Sequence, residues 1–463
     1  MKTPNIVKPQ FDVPWIDITD SKRKKFPQNE KRKKAKINIV TGKKLFFWGF
    51  ISIISIFSCS KNNSVTTIEF WTLQLSPTFN QYFNELIQEY EKKNPSISIK
   101  WVDIPYDAVI QKLLASIASG DAPDVVNLSS DFLAKFNDIQ ALVDFATLYP
   151  KDIFQIFLPN ALENCTFDGK IIALPWYLNT YVTIYNKALI NDAGFQSNDI
   201  PKTFSELIQF VRNYKNRTSK FALFWNIGKD SYLPMMLESE GIAMTNDEMT
   251  RAEFNSQKGI ELISQWVDLY REGYLDSEAI IKPGSSIIEP YQSGQSAIVF
   301  TGPVFLKRVK ENALKIYEQT DIAPAIVGST GKYELATMAL SVLGTSEKKK
   351  EAAYFAMYVV NAKNQLAFSK LTTTFPSVSE ALNDPFFTTD DGTVESKARN
   401  IGVKELPYSV RLRKYLQHPK FDELRDIFDE AIQKACLEKL TTKEAMDKAA
   451  EEWNRISGNY SEL

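Results

Sequence analysis

The hydrophobic pattern in the first part of the chain alternates between strand-like and helix-like segments. Residues 67–73 alternate and carry aromatic and β-branched side chains, which predicts a strand, and residues 78–93 place apolar side chains at helical spacing. A second strand at 97–102, a second helix at 109–117 and a short buried strand at 124–128 follow. This order predicts an α/β fold with a parallel sheet and right-handed crossovers.

The pattern changes character twice further along. Residues 171–177 lead into a second strand-like piece at 181–186, and residues 337–343 form another extended apolar run. From 347 the pattern becomes helical, and a further helical stretch covers 420–455. The two extended crossings predict two lobes joined by strands, each lobe made from separate segments of the chain.

The N-terminal region contains a short apolar run that follows Lys43 and Lys44. This run, residues 45–57, spans about 20 Å as a helix, which is less than the ~30 Å hydrocarbon core of a bilayer. Positively charged residues followed by a short apolar stretch predict a secretory signal. Residues 56–59 (IFSC) resemble the bacterial lipobox, with Phe57 bulkier than usual, and this implies lipidation of Cys59. A short membrane anchor with an incidental cysteine is the alternative.

Residues 1–42 are rich in lysine, contain proline and have no apolar period, which predicts disorder. Their basic runs at 22–25 and 31–34 have the composition of nucleic-acid patches. We interpret the segment instead as a long signal n-region, or as the product of a start site placed too early. The polar residues after Cys59 are suited to tether a domain to a membrane.

Composition and charge exclude several classes of function. One histidine, His418, and three cysteines argue against a metal site, a disulfide scaffold and Ser-His-Asp catalysis, so we expect no metal and no cofactor. Residues 1–58 hold 13 of the 55 basic and 4 of the 56 acidic residues, which leaves 42 and 52 for the body. That acidic body lacks the basic face that nucleic acids need. Cys165 and Cys436 either pair or remain buried thiols.

Several motifs together resemble family 1 extracellular solute-binding proteins, the maltose-binding-like receptors of ABC importers. They run in the family's order over about residues 66–455, and each alone is a weak signal. Phe204 and Val304 stand where the family usually has tryptophan. The motifs are 119–125 (SGDAPDV), 173–176 with 184–187 and 193–194, 201–207 (PKTFSEL), 291–298 with 301–303, 321–324, 351–353 and 375–376.

The resemblance implies a two-lobed periplasmic-binding-protein fold of type II, with a mostly parallel sheet flanked by helices in each lobe and hinge strands between them. It also implies an exported, lipid-anchored, monomeric receptor that binds a sugar and docks on the transmembrane subunits of an ABC permease. The expected division is 1–58 for the basic extension and signal, 59–65 for the tether, 66–178 and 339–375 for the first lobe, and 179–338 and 376–463 for the second.

Candidate ligand residues follow from the rule that ligands bind beyond the carboxyl ends of parallel strands. Sugar recognition needs aromatic faces for the C–H side of a pyranose and polar groups for its hydroxyl edge. The candidates that offer these groups near strand ends or crossings are Trp71, Gln74, Tyr106, Ser129, Asp131, Trp176, Tyr177, Trp225, Asn226, Thr301, Gly302, Tyr333 and Glu334. Trp225 and Asn226 follow a strand-like run at 220–224.

Two other functions remain as alternatives. A receptor for a polyol, a glycerol phosphodiester or another phosphorylated solute would need convergent basic residues, for which Arg399 and Arg411 are the candidates. An exported glycoside hydrolase would need two carboxylates about 5–9.5 Å apart across a cleft, and Asp131 and Glu334 are the pair to consider. Neither acid stands in a recognisable catalytic context, so we do not expect an enzyme.

Overall fold

The computed structural model describes residues 65–281 and 287–460. The expectations for the N-terminal extension, the signal, most of the tether and Cys59 lie outside these residues. Among the helices of the described ranges, none is both long enough and apolar enough to cross a bilayer.

The strands confirm the predicted order in the first part of the chain, with ends shifted by one or two residues. Phe221 makes only an isolated bridge to Ser296, so the strand predicted at 220–224 is wrong. The strands are β1 Thr66–Leu73, β2 Ile97–Ile104, β3 Val125–Ser129, β4 Thr166–Phe167, β5 Lys170–Ile171, β6 Leu174–Asn179, β7 Val182–Asn186, β8 Ile298–Thr301, β9 Thr320–Ala323, β10 Tyr333–Glu334, β11 Ala336–Val342, β12 Phe375–Pro376 and β13 Ser409–Val410.

The helices flank the sheets, and the apolar spacing seen in the sequence marks their buried faces. In α1, for example, Phe83, Leu86, Ile87 and Tyr90 are buried. The helices are α1 Asn80–Lys93, α2 Val109–Ser119, α3 Leu133–Asp138, α4 Pro159–Glu163, α5 Lys187–Asp192, α6 Phe204–Thr218, α7 Leu233–Ser239, α8 Gln257–Arg271, α9 Ile288–Gln292, α10 Phe305–Asn312, α11 Leu314–Glu318, α12 Lys349–Val359, α13 Ala362–Thr372, α14 Ser379–Leu382, α15 Val394–Glu405, α16 Phe421–Cys436 and α17 Thr442–Tyr460.

Two sheets organise the two lobes. A six-stranded sheet in the order β12-β6-β11-β3-β1-β2 forms the first lobe, and a three-stranded sheet in the order β8-β7-β9 lies in the second. β1 is parallel to β2 and β3, whereas β11 is antiparallel to β3 and β6, and β7 is antiparallel to both of its neighbours. The prediction of mostly parallel sheets is therefore wrong for β11 in the first sheet and for β7, β8 and β9 in the second. β11 enters the first sheet from the other lobe, so no crossover helix fixes its direction.

The motif around Gly120 shows how local sequence shapes the first lobe. Gly120 ends α2 in a left-handed conformation, with φ of 80°, where a side chain would be strained. Asp124 then accepts hydrogen bonds from the Glu69 N–H at 2.8 Å and from the Ser346 hydroxyl at 2.6 Å. These contacts fix the start of β3 beside β1, and they are structural rather than ligand contacts.

Candidate ligand-binding cleft

A cavity of about 410 Å³ lies between the lobes, and we call it the charged cavity. The first lobe contributes its rim beyond β2 and β3, and the second lobe contributes the segment before α7 and the region from β13 to α16. Its lining residues are Tyr106, Asp107, Ile110, Asp131 and Phe132 from the first lobe, and Asp230, Ser231, Arg413, Tyr415, Leu416, Phe421, Asp422 and Arg425 from the second.

The first-lobe wall of the charged cavity follows two parallel strands, as the strand-end rule predicts. After β3, the Ser129 hydroxyl accepts a hydrogen bond from the Asp131 N–H at 3.3 Å and so caps the short helical turn that carries Asp131. After β2, Tyr106 packs its ring 5.4 Å from Phe132, and burial of its hydroxyl raises the pKa of Tyr106 above the usual range. A carboxylate and an aromatic ring therefore share this wall.

Arg413 joins the two lobes at the charged cavity. Its Nε lies 3.1 Å from Glu334 Oε1 and its guanidinium lies 3.4 Å from Asp131 Oδ2. Burial opposes the charge of this guanidinium, but Glu334 and Asp131 outweigh burial, and the pKa of Arg413 lies well above its ordinary value. Glu334 also accepts the Leu412 N–H at 2.8 Å. The contact between Asp131 and Arg413 crosses from one lobe to the other.

Buried polar groups fix the loop that carries Asp230 through hydrogen bonds to its backbone. The Asn226 amide oxygen accepts hydrogen bonds from the Gly228 and Lys229 N–H groups at 3.0 and 3.1 Å. The Asp429 carboxylate accepts the Asp230 N–H at 2.8 Å, and burial raises the pKa of Asp429 to about 7. Asn226 therefore positions the wall of the cavity without lining it.

A second cavity of about 270 Å³ lies beside the crossing between β6 and β7, and we call it the aromatic cavity. Tyr181 stacks on Phe300 with ring centroids 5.0 Å apart. The Thr180 hydroxyl is buried and has no hydrogen-bond partner among the described residues. The lining residues are Asn179, Thr180, Tyr181, Tyr232, Ile287, Thr301, Gly302, Val304, Phe305 and Ala336.

The charges of the charged cavity act on two hydroxyls of the aromatic cavity. Burial raises the pKa of Tyr181 to about 12, and the charges of Arg413, Glu334 and Asp131 act on the same hydroxyl. Arg413 also acts on the buried hydroxyl of Tyr232. The two cavities are therefore coupled electrostatically through Arg413.

The predicted site residues fall into three groups. Four line a cavity: Tyr106 and Asp131 the charged one, and Thr301 and Gly302 the aromatic one. Ser129, Asn226 and Glu334 hold lining residues in place through the contacts described above. Tyr333 pairs in β10 and packs within the second lobe, and Gln74 is an exposed turn residue with φ of 55° whose N–H donates to the Ile104 carbonyl.

The predicted tryptophans lie in the cores. Trp176 is fully buried and stacks on Phe368 at 5.1 Å, with Tyr177 packed against both. Trp225 is 2% exposed and stacks on Trp266 at 5.1 Å, and Trp71 is buried with its indole N–H bound to Glu69 at 2.7 Å. These rings offer no free face to a solute in this structure, because their faces are already packed.

Sequence reasoning missed Arg413, Arg425, Asp230, Tyr181, Tyr232 and Phe305. Tyr181 is the first residue of the second strand predicted at this crossing, which is a usable signal. The arginines that were considered lie elsewhere: Arg399 binds the Phe386 carbonyl and Arg411 binds the Asn164 carbonyl, both at 2.5 Å. Neither lines the charged or the aromatic cavity.

The two described cysteines are both buried and free. Burial raises the pKa of Cys165 and of Cys436 to about 12, so both thiols stay protonated at neutral pH. Within residues 65–281 and 287–460, no group of three or more His, Cys, Asp or Glu side chains is arranged to hold a metal ion.

Comparison with known proteins identifies the architecture. Residues 76–366 match the model of a family described as bacterial extracellular solute-binding protein. The structure resembles that of a periplasmic-binding protein from Synechococcus sp. MITs9220 that is proposed to take oligosaccharides, with a TM-score of 0.79, 30% identity and coverage of 85% of this chain and 99% of that one.

Two curated relatives cover most of their own length. The galactooligosaccharide-binding protein of Bacillus subtilis (strain 168) is 21% identical over 387 residues, which are 79% of this chain and 84% of the relative. The sn-glycerol-3-phosphate-binding periplasmic protein UgpB of Escherichia coli (strain K12) is 20% identical over 422 residues, which are 85% of this chain and 93% of the relative. These relatives bind solutes of different charge.

Proposed function

The chain belongs to the family of bacterial extracellular solute-binding proteins, and from this premise we propose that it captures a sugar or an oligosaccharide between its lobes and delivers it to an ABC permease. The relatives named for oligosaccharides support this reading. The observation that carries it is the pair of cavities, one rich in aromatic rings and hydroxyls and one rich in carboxylates and guanidinium groups.

The chemistry of the two cavities suits a pyranose. Ring faces such as those of Tyr181 and Phe305 pack against the apolar C–H side of a sugar. The Thr180 hydroxyl has no hydrogen-bond partner among the described residues and can bond to a hydroxyl of the ligand, and an unpaired buried polar group costs about 1–3 kcal/mol. Asp131 supplies an acceptor for the hydroxyl edge of the ligand.

Capture works through contact with both lobes. A ligand that touches only one lobe binds the open and the closed conformations equally and shifts nothing. A sugar held between Tyr106 and Asp131 on one side and the second-lobe residues on the other favours the closed conformation. The closed form is then the one that docks on the permease.

Export and anchoring complete the proposal. Cys59 carries the lipid that holds the mature protein at the extracytoplasmic face of the membrane, and the protein works there as a monomer. The lobes are assigned to residues 66–178 with 339–375 and to 179–338 with 376–463. The membership of the chain in an extracellular family supports export.

The solute leaves the site unchanged. Asp131 and Glu334, the pair considered for a glycoside hydrolase, are both bound to the same guanidinium of Arg413. Glu334 is 4% exposed and also accepts a backbone hydrogen bond, so its oxygens are already engaged by donors of the protein and do not face a glycosidic bond. A polyol or a glycerol phosphodiester remains the alternative ligand, and the likeness to UgpB favours it.

A panel of ligands tests the proposal. Purified protein is heated with maltotriose, galactotriose, glycerol and sn-glycerol 3-phosphate in turn, because a ligand at 100 times its Kd stabilises the folded state by about 2.7 kcal/mol. We expect an increase in Tm with an oligosaccharide and no shortened product by chromatography. Release of monosaccharide, or an unchanged Tm with every compound, would contradict the proposal.

A further inference from the structure

The arginines of the charged cavity are already bound to carboxylates. Arg413 contacts Glu334 and Asp131, as described above. Arg425 contacts Asp230 at 3.0 Å, Asp422 at 3.4 Å and Asp426 at 3.7 Å. A phosphate group is recognised by a guanidinium that can turn its fork of N–H groups toward it. The Arg425 Nε–H has no hydrogen-bond partner among the described residues, but the charge of each arginine is already balanced by carboxylates, so an anion meets no uncompensated positive charge here.

The balance of charge around the charged cavity is negative. Its lining holds four aspartates, at positions 107, 131, 230 and 422, against the two arginines. Glu334, Arg411 and Lys135 stand directly behind the lining, and with them five carboxylates face four cations. Lys135 is itself engaged by Asp422 at 2.6 Å. An anionic ligand that enters the charged cavity therefore meets net electrostatic repulsion.

The lining of the aromatic cavity, within the described residues, offers an anion no charged partner. Its ten lining residues in the described part of the chain are apolar, hydroxyl-bearing or amide side chains and glycine, and none carries a charge. A phosphate moved from water into this cavity would lose hydration and gain only neutral hydrogen bonds. A hydroxyl group loses far less on the same transfer.

We propose that the cleft selects uncharged polyhydroxyl solutes against phosphorylated ones, and that Asp131 and Asp230 set this specificity by occupying the arginines. This inference rests on the proposed receptor function and narrows its ligand class. It decides against a glycerol phosphate ligand on the charge of the site, although one relative is named for such a ligand.

The test exchanges the two carboxylates for amides of nearly equal volume. In the Asp131→Asn/Asp230→Asn variant, the amide oxygens still accept hydrogen bonds, but Arg413 and Arg425 lose one anionic partner each. The probes are glucose 6-phosphate and sn-glycerol 3-phosphate, measured by calorimetry at low salt. We expect no detectable binding by the wild type and a gain in affinity of about tenfold or more per carboxylate removed.

A matched control removes two charges outside the cavity. Glu423 and Glu430 lie on the exposed face of α16, and the Glu430 side chain is 64% exposed. The Glu423→Gln/Glu430→Gln variant changes the net charge by the same amount, and we expect it to bind neither probe. If the Asp131→Asn/Asp230→Asn variant does not fold, the single Asp230→Asn variant, whose side chain is 40% exposed, carries the test with a smaller gain.

The outcomes separate this inference from the function on which it rests. Wild-type binding of a phosphorylated probe as tight as that of the best neutral sugar would overturn the inference and leave a solute receptor. Equal affinity of the probes for the Asp131→Asn/Asp230→Asn variant and for the control would overturn the role of the two aspartates. Failure of every sugar and every phosphate to bind the wild type would overturn the receptor function itself.

Discussion

The charged cavity and the aromatic cavity are built on different principles. The charged cavity is closed by ion pairs whose partners come from both lobes, such as Asp131 with Arg413 and Lys135 with Asp422. The aromatic cavity is built where the chain crosses between lobes, from rings and hydroxyls without charge. The first arrangement depends on lobe position and on charge, and the second on ring faces. The affinity for a sugar that contacts both cavities therefore depends on closure of the lobes and on the shape of the sugar.

Removing the central guanidinium should have the largest effect on this comparison. Arg413→Met leaves Glu334 buried without its cation, which costs about 3 kcal/mol in the free energy of unfolding. Urea denaturation at neutral pH measures the loss. The control is Lys434→Met, which removes the exposed ion pair of Lys434 with Glu430 on α16 and should cost less than about 1 kcal/mol. Equal stability of the two variants would mean that Arg413 does not hold the charged cavity together.

Truncating a ring of the aromatic cavity should affect binding more than stability. Phe305→Ala removes a partly buried ring from the cavity wall, and we expect an affinity about 10–100-fold lower for the oligosaccharide identified by the panel. Calorimetry measures the change. Tyr354→Ala, which removes a ring that is 60% exposed on α12, should leave the affinity unchanged. Similar affinities for both variants would remove the aromatic cavity from the site.

The support of the charged cavity should also depend on pH. Because burial raises the pKa of Asp429 to about 7, the folded protein binds this proton more readily than the unfolded chain does. The stability that this proton contributes is complete below about pH 4 and is lost as the pH rises through 7. Asp429→Asn carries no such loss, so its free energy of unfolding should rise by about 2–3 kcal/mol relative to that of the wild type between pH 5 and pH 8.

Other titrating groups cancel in that difference. Glu238 and Glu405, whose pKa values burial also raises to about 7, are present in both proteins. Glu430→Gln changes an exposed carboxylate on the same helix and should follow the wild type at every pH. A constant difference between Asp429→Asn and the wild type across this range would show that Asp429 does not titrate as its burial indicates.

Local pattern predicted the first half of the fold, because strand alternation and helical spacing are properties of neighbouring residues. The order β1-α1-β2-α2-β3 and the extended crossings follow from it. The direction of β11 does not, because it is decided by where the chain returns from the other lobe. Strand ends also located Tyr106 and Asp131, since their place beyond β2 and β3 depends on short-range order alone.

The rest of the site depends on packing that no local pattern encodes. Arg413 meets Asp131 across 282 positions of sequence, so neither residue signals the other. Trp176 and Trp225 have the composition of a sugar platform, but Phe368 and Trp266 cover their faces. Whether a ring fills a core or lines a cavity is settled by which helix packs on it, and sequence position alone does not give that.

The central claim is that the solute contacts both lobes and closes the cleft. Small-angle X-ray scattering tests this claim most directly when it is measured with and without the oligosaccharide identified by the panel. The account predicts a smaller radius of gyration at saturating sugar, and a smaller change for the Phe305→Ala variant than for the wild type at a sugar concentration near the wild-type Kd. An unchanged scattering profile of the wild type, at a concentration where calorimetry shows the site to be full, would contradict capture by closure.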